Sequence, residues 1–373
     1  MISIWEQASF LSYDVIIVGA GITGLSTAAS LKEKSPNLSI LVLEKGILPS
    51  GASTRNAGFA CFGSLSELIR DREIMGEDRM RELVEQRWKG LAKTRKRLGD
   101  EVIGYDSCGG FELVRGNDTG FTEELESINY LLKEIIGNEV FKIKNSLINS
   151  FGFEQVQQVV YNPYEGALHT GKLMNSLWNY CASLGVRIFT GVEANEILKE
   201  KEGFTIKTKS LDFHGQALAL CTNAFSKNLI KENIDLVPGR GLVTLVKPEK
   251  PLKFKGTFHY NEGYFYFRDF EDKLIFGGGR NLDFESETTT EFGVNKRILQ
   301  QIKTDLDHVI LPGQEYEIEM TWSGIMAFGT TKEPIVKRTE DGYYLAIRLG
   351  GMGIAIGSMV GDNLSNLIIQ DYF

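Results

Sequence analysis

No stretch of this 373-residue sequence approaches the ~20 consecutive apolar residues that a bilayer span needs, so no transmembrane helix is expected. Positive charge is also short. Lys and Arg together number 41 against 49 Asp and Glu, and the net charge of −8 leaves no electrostatic footprint for nucleic acid or an anionic membrane. Cysteine is sparse and scattered (Cys61, Cys108, Cys181, Cys221), with no C-x-x-C pair and no metal-ligand spacing. No metal site is expected, and free thiols in a reducing cytoplasm are the reading. The opening residues Met1-Ile2-Ser3-Ile4-Trp5-Glu6 lack the basic start of a signal peptide, which again points to the cytoplasm. Repeats, low-complexity tracts and long linkers are missing too. No Ser/His/Asp or Cys/His arrangement stands at a recognisable spacing. Glycine, by contrast, is abundant. Its 40 copies exceed the usual ~7% and suit a fold with many tight turns around a ligand.

The chain is organised around one stretch near its start. Val15-Ile16-Ile17-Val18 reads as a buried parallel strand. The turn Gly19-Ala20-Gly21-Ile22-Thr23-Gly24 follows, and Leu25, Ala28, Ala29 and Leu31 continue at helical spacing. A second apolar run, Ile40-Leu41-Val42-Leu43, ends at Glu44, twenty residues beyond Gly24. This strand–turn–helix–strand–acid order is that of a dinucleotide site. Gly19 permits the turn, Gly21 lets backbone approach a pyrophosphate, and Gly24 lets helix and strand pack closely. The pyrophosphate would rest on a helix N-terminus, where free N–H groups and the dipole favour negative charge. Glu44 would accept hydrogen bonds from ribose hydroxyls.

The rest of the chain divides by pattern. Residues 1–12 read as a lead-in packed on the first strand. The run from Pro49 to Ala60 has almost no bulk and can bring amides and hydroxyls close to a flat ligand, or be an ordinary loop. Residues 64–99 read as helix, 102–115 as short strands, 121–136 as an amphipathic helix, and 291–307 as helix. Between about 242 and 280 the chain is β-rich and aromatic. Tyr264, Tyr266 and Arg268 share one face of a strand there, and Phe265 and Phe267 share the other. The phenylalanine face suits a core and the tyrosine face a cavity wall.

Taken together, these pieces resemble the FAD-dependent oxidoreductases of the D-amino-acid oxidase superfamily, on the side of glycine oxidase and γ-glutamylputrescine oxidase. Gly19, Gly21, Gly24, Glu44 and Lys45 match the ADP-binding half. Gly51 to Phe59, with Ser53, Thr54, Arg55, Asn56, Ala57 and Gly58, looks like the loop that passes the pyrophosphate and flavin ring. Val192 to Ile197 resembles the strand that lends backbone contacts to the adenine, and Cys221-Thr222-Asn223-Ala224 stands in place of an Ala-Thr-Gly turn. Gly350-Gly351-Met352-Gly353-Ile354 resembles the turn that offers a helix start to the flavin pyrimidine, where N–H groups stabilise charge arriving at N1 and the C2 carbonyl.

Three departures from the family pattern matter. Asn223 replaces a glycine but tolerates left-handed geometry. Arg55 stands near where some relatives carry a flavin-linked histidine, so non-covalent FAD is implied. The Trp-Ala-Gly-Leu-Arg pattern, whose arginine binds a substrate carboxylate, appears here as Trp322-Ser323-Gly324-Ile325-Met326. A thioether cannot replace a bidentate guanidinium. Arg268, Arg280 and Arg348 are candidates to restore the anchor, with Arg348 the preferred one, and Tyr264 and Tyr266 are candidate cavity walls. His259 is read first as a structural or surface residue.

The expectation is an α/β flavoprotein with a Rossmann-like FAD-binding domain (1–100, 150–235 and 312–373) and an inserted, β-sheet-rich α+β substrate domain (101–149 and 236–311). Its implied activity is oxidation of a C–N bond in a small amine or amino acid, with oxygen or another electron acceptor. The alternatives are a flavin-dependent 2-hydroxy acid dehydrogenase and a non-turnover FAD-binding redox or partner protein.

Overall fold

The computed structural model describes residues 2–116 and 120–373. Its first sheet runs, from one edge to the other, Ile335–Arg338, Tyr344–Ile347, Asp212–Leu220, Ser12–Val18, Ile40–Glu44 and Arg187–Thr190. All but the first of these run parallel, with Val15 beside Ile40 and Ala217. The β-branched run buries both faces, as parallel strands do. Val15 and Ile17 join a core shared with Leu25, Leu173 and Ile356 of the covering helices. Ile16 and Val18 meet Phe204, Phe213 and Leu236 on the other face.

The second sheet is mostly antiparallel: Tyr316–Phe328, Val237–Pro248, Lys273–Gly278, Phe265–Phe270, Thr257–Tyr260, Gly110–Val114, Gln158–Asn162 and Lys142–Ile143. One face carries Phe258, stacked on Phe267 at 4.7 Å, and packs against Ile298 and Ile302 of the helix Lys296–Asp305. Tyr266 and His259, paired across strands, share the opposite face. Two of these strands, Gln158–Asn162 and Tyr316–Phe328, lie in segments the sequence pattern assigns to the first domain. Tyr316–Phe328 instead zips along Val237–Pro248 from Tyr316 opposite Pro248 to Phe328 opposite Val237, a long ladder that draws it into the second sheet.

Other expected elements shift locally. The 64–99 helix is two, Leu65–Met75 and Glu77–Leu98, broken where Gly76 takes φ +85°. Within 102–115 only Gly110–Val114 is strand, because Asp100–Ile103 closes a helical turn capped by left-handed Gly104. The expected helix at 291–307 begins only at Lys296, where Asn295 accepts from the backbone N–H groups of Arg297 and Ile298. The lead-in forms the helix Ile4–Phe10, which buries none of its own residues, and it packs on the first strand through Leu11, beside Ile16 and Val18.

The C-terminal helix Gly353–Tyr372 crosses Ile22–Lys34 and Glu77–Leu98 closely. Small residues make the crossing possible. A Cβ on Gly361 would stand 2.7 Å from the Cβ of Ser26 and from the backbone N of Thr27. Gly361→Ala must therefore push the helices apart, and overpacking of this kind costs roughly 1–3 kcal/mol. Thermal unfolding of the variant should show a lowered midpoint; an unchanged midpoint would contradict the tight crossing.

Candidate active site

Where the two sheets face each other, a cavity of about 860 Å³ opens. One end is built by the N-terminal unit. Gly19 takes φ +104°, and a Cβ there would sit 2.8 Å from the carbonyl oxygen of Cys221. Glu44, at the end of its strand, accepts from the backbone N–H of Ala20 and of Gly46, each at 3.0 Å. Its carboxylate is thus fixed in direction yet keeps lone pairs for further donors. Ser53 Oγ accepts from the N–H of Ile22 at 2.9 Å, the first free donor of the helix Ile22–Lys34. A Cβ on Gly21 would stand 3.1 Å from that hydroxyl, so a side chain there would crowd this approach. Lys45 lies over the ring of Phe225 at 4.0 Å. These features fit a nucleotide end with its diphosphate at a helix start.

The low-bulk loop is held by its own polar groups. Asn56 Nδ2 donates to the carbonyls of Ala52 and Ser53, while its Oδ1 accepts from Gly58 N–H and Thr170 Oγ1. Arg55 donates to the carbonyls of Ser50 and Ser323, and its own carbonyl accepts from the Trp322 indole at 2.9 Å. At the far side Gly350 and Gly351 take φ +58° and +83°, and Gly353 opens the last helix toward the cavity. Met326 faces Gly351, where a Cβ would stand 3.6 Å from the sulfur. Asn223 adopts φ +48°, and its Oδ1 accepts from the N–H of Arg348.

Of the residues singled out in the sequence, Gly19, Gly21, Glu44, Lys45 and Ser53 line the cavity, as do Arg55, Asn56, Ala57, Val192, Thr222 and Asn223. Gly350 through Ile354 and both Tyr264 and Tyr266 line it as well. Four others do not. Gly24 lies beneath the turn, where a Cβ would meet the carbonyl of Gly19 at 1.9 Å. Thr54 turns its hydroxyl back to the carbonyls of Pro49 and Gly51. Gly58 packs under Leu168, whose carbonyl would be 2.3 Å from a Cβ.

The fourth is Arg348, and here the preferred anchor fails. Its guanidinium pairs with Asp235 at 2.6 Å and donates to the carbonyls of Asp235 and Glu333, away from the cavity. Arg268 is likewise occupied, by the carbonyls of Gly58, Leu168 and its neighbour Asp269. Val192 is not in a strand as expected. Gly191 at φ +69° bends the chain, the strand starts only at Glu196, and the N–H of Val192 donates to the carbonyl of Glu44.

The wall opposite the glycine turns belongs to the second sheet. The ring of Tyr266 lies over its cross-strand partner Gly277, where a Cβ would meet it at 2.8 Å. Phe59 from the loop packs edge-on against both Tyr266 and His259. Burial raises the Tyr266 hydroxyl to about 12, so it remains a neutral donor.

His259 is no surface residue: it is 6% exposed, and its Nε2 lies 3.4 Å from Glu165, itself 2% exposed. Burial works against its charge, but Cys61 and Glu165 outweigh it and hold the imidazole protonated well above its ordinary range. Burial pushes the Cys61 thiol up. Burial also opposes ionisation of Glu67, yet Lys332 and His259 pull its carboxyl down overall. Lys332 reaches Glu67 and, at 2.8 Å, Asp71. Glu112 completes the cluster, receiving Ser64 Oγ and both the N–H and hydroxyl of Ser66. The sequence hint for this group was a lone Glu112 inside an otherwise apolar strand; Cys61, Glu165 and His259 meet only through folding.

The site can now be set beside known proteins. The family profile described as DAO, FAD dependent oxidoreductase, matches residues 14–367. A probable oxidoreductase OrdL of Haemophilus influenzae is 22% identical over 365 residues, spanning 96% of this chain and 83% of that protein. Among solved structures, glycine oxidase from Geobacillus kaustophilus superposes with a TM-score of 0.74 at 19% identity, covering 96% of this chain and 95% of the other. L-proline dehydrogenase from P. horikoshii gives 0.78 at 17%, covering 97% and 95%. At these identities the structural likeness is one of fold.

Burial raises Glu112 to about 7 from 4.5, so the folded state holds its proton longer than the unfolded chain. The stability linked to that proton is complete below 4.5 and lost as pH climbs through about 7. Glu112→Gln cannot ionise. Relative to wild type it should therefore gain roughly 3 kcal/mol between pH 4.5 and pH 8, read by denaturant unfolding. A constant difference across that range would contradict the assignment.

Proposed function

We propose, from the premise that the chain belongs to the DAO family of FAD-dependent oxidoreductases, that it oxidises a C–N bond of a small amine or amino acid. FAD is the cofactor of this family. Gly19, Gly21, Glu44 and Ser53 would hold its ADP portion, and Arg55 to Ala57, Asn223 and Gly350 to Ile354 would hold the flavin. In this reading the first sheet carries the cofactor and the second sheet closes over it, with Tyr264 and Tyr266 walling the substrate space. Nothing here supplies a covalent link through Arg55, whose donors are on backbone carbonyls, and non-covalent FAD is part of the proposal.

Bound FAD supplies the acceptor for a hydride leaving the substrate α-carbon; the resulting imine takes up water and releases ammonia or an amine with a carbonyl product. The protein's share is to place that carbon and to keep the surroundings dry. N–H groups at the start of Gly353–Tyr372 favour the negative charge that arrives with the hydride.

The observation that carries C–N over C–O chemistry is that, among the described residues, His259, Glu67 and Asp71 at this end of the cavity are each held in an ion pair. An alcohol must lose its O–H proton as hydride leaves, and so needs a general base; a neutral amine does not. His259 is already protonated against Glu165, and Glu67 and Asp71 face Lys332. None of these three is free to take that proton.

The test is an anaerobic titration of the FAD-loaded protein, followed by its visible absorption, with amines, amino acids and 2-hydroxy acids in parallel. A C–N compound should bleach the flavin band, and 2-hydroxy acids should leave it unchanged. Bleaching by 2-hydroxy acids alone would overturn the proposal.

A further inference from the structure

Among the described residues, the basic side chains that line the cavity have polar partners, with two exceptions, Lys45 and Arg280. Lys332 faces Glu67 and Asp71, and Arg70 pairs with Glu73. Arg55 donates to the carbonyls of Ser50 and Ser323, and Lys45 sits at the nucleotide end over Phe225. Arg280 makes no ion pair and no side-chain hydrogen bond within the described residues. Its guanidinium is sandwiched by aromatic faces instead, 3.9 Å from the ring of Phe328 and 4.8 Å from that of Phe284.

The backbone delivers it there. Gly277, Gly278 and Gly279 end the strand before it; Gly278 and Gly279 take φ +112° and +77°, turning the chain so that Arg280 enters the cavity. Opposite, Gly239 leaves room: a Cβ there would meet the Phe328 ring at 2.5 Å and the Arg280 side chain at 3.4 Å. Gly239 pairs with Met326, and Phe328 follows Met326 by two residues on the same strand face. Arg280 therefore flanks the position at which the sequence pattern expects an arginine and finds a methionine.

A half-buried guanidinium that has no ion pair and lines a ligand cavity is costly unless an anion completes it, and its flat fork suits a carboxylate. The diphosphate end is not that anion, because Gly21, Ser53 and the helix start at Ile22 are built by the other sheet.

Resting on the C–N reading above, we propose that Arg280 is the carboxylate anchor of this site, and that the substrate is an amino acid, primary or secondary, and not a simple amine. The carboxylate would replace the donors' missing partner, while the aromatic rings of Phe284 and Phe328 hold the guanidinium plane in register.

The experiment uses the FAD-loaded protein and two probes that cannot be oxidised at a C–N bond, acetate and benzoate, each titrated while the flavin absorption is recorded. The wild type should show a saturable spectral change. R280M should weaken binding at least 100-fold and R280K less, while both variants keep the wild-type flavin spectrum in the absence of carboxylate. Substrate turnover should show the same split, with KM raised more than kcat falls in R280K.

Equal binding of carboxylates by wild type and R280M would overturn the proposal. So would an altered flavin spectrum in unliganded R280M with carboxylate binding intact, which would place Arg280 against the cofactor. Bleaching by an amine as readily as by its amino acid counterpart overturns the anchor while leaving C–N oxidation standing. Arg280-dependent carboxylate binding, in a protein that no C–N compound bleaches, would support the anchor and remove the function it rests on.

Discussion

The cofactor end of this molecule depends on a contact that only glycine allows. The helix Ile22–Lys34 starts directly above the end of the first strand because residue 24 has no Cβ to strike the carbonyl of Gly19. That approach aims the free N–H groups of the helix start at the cavity and brings Ala20 N–H within reach of Glu44. A dipole end, a directed carboxylate and an open floor then lie within one turn of chain. The same device recurs where the last helix passes Ile22–Lys34, at Gly357 and Gly361, so the two helices whose N-termini face the cavity are locked together by their missing side chains.

The second constraint is the seam between the sheets. The Trp322 indole donates to the Arg55 carbonyl across it, the Arg55 guanidinium donates to the Ser323 carbonyl, and Arg268 gathers the carbonyls of Gly58 and Leu168. Arginine serves here as a multi-donor brace for loop backbone that has no ladder of its own. These contacts fix the loop against the wall of Tyr266, Phe59 and His259, which gives the cavity a rigid roof. Charge around it is closely matched: Glu67, Asp71 and Lys332 answer one another, as do His259 and Glu165. Arg280 stands outside that matching, with aromatic rings in place of an ion pair, and that is the ground for proposing it as the anchor.

Much of this was legible in the residues. The strand, glycine turn, helix and Glu44 are local, their order is set by spacing, and the alternation of Tyr264, Tyr266 and Arg268 against Phe265 and Phe267 follows from strand geometry. What could not be read are partnerships between distant segments. Arg348 looked like an anchor because it precedes a glycine turn, and only the fold brings Asp235 to it. Arg280 looked no better than its rivals because being unpaired is invisible in sequence. Cys61, Glu112, Glu165 and His259 come from separate segments and meet through sheet pairing, as in His259 beside Glu112. The strand Tyr316–Phe328 carries a glycine oxidase-like pattern that the sequence places with the first domain, and its place in the second sheet follows from register with Val237–Pro248.

The proposed function depends on one arrangement: a cavity with the nucleotide at Glu44, the flavin against the turn Gly350 to Gly353, and its free face toward Tyr266. A crystal structure of the FAD-bound protein measures this directly. The account predicts ribose oxygens within hydrogen-bond distance of Glu44 and the ring system against Gly350 to Gly353, with open space between the ring, Tyr266 and Arg280. A flavin ring turned away from the Tyr266 wall, or ribose hydroxyls without contact to Glu44, would contradict it.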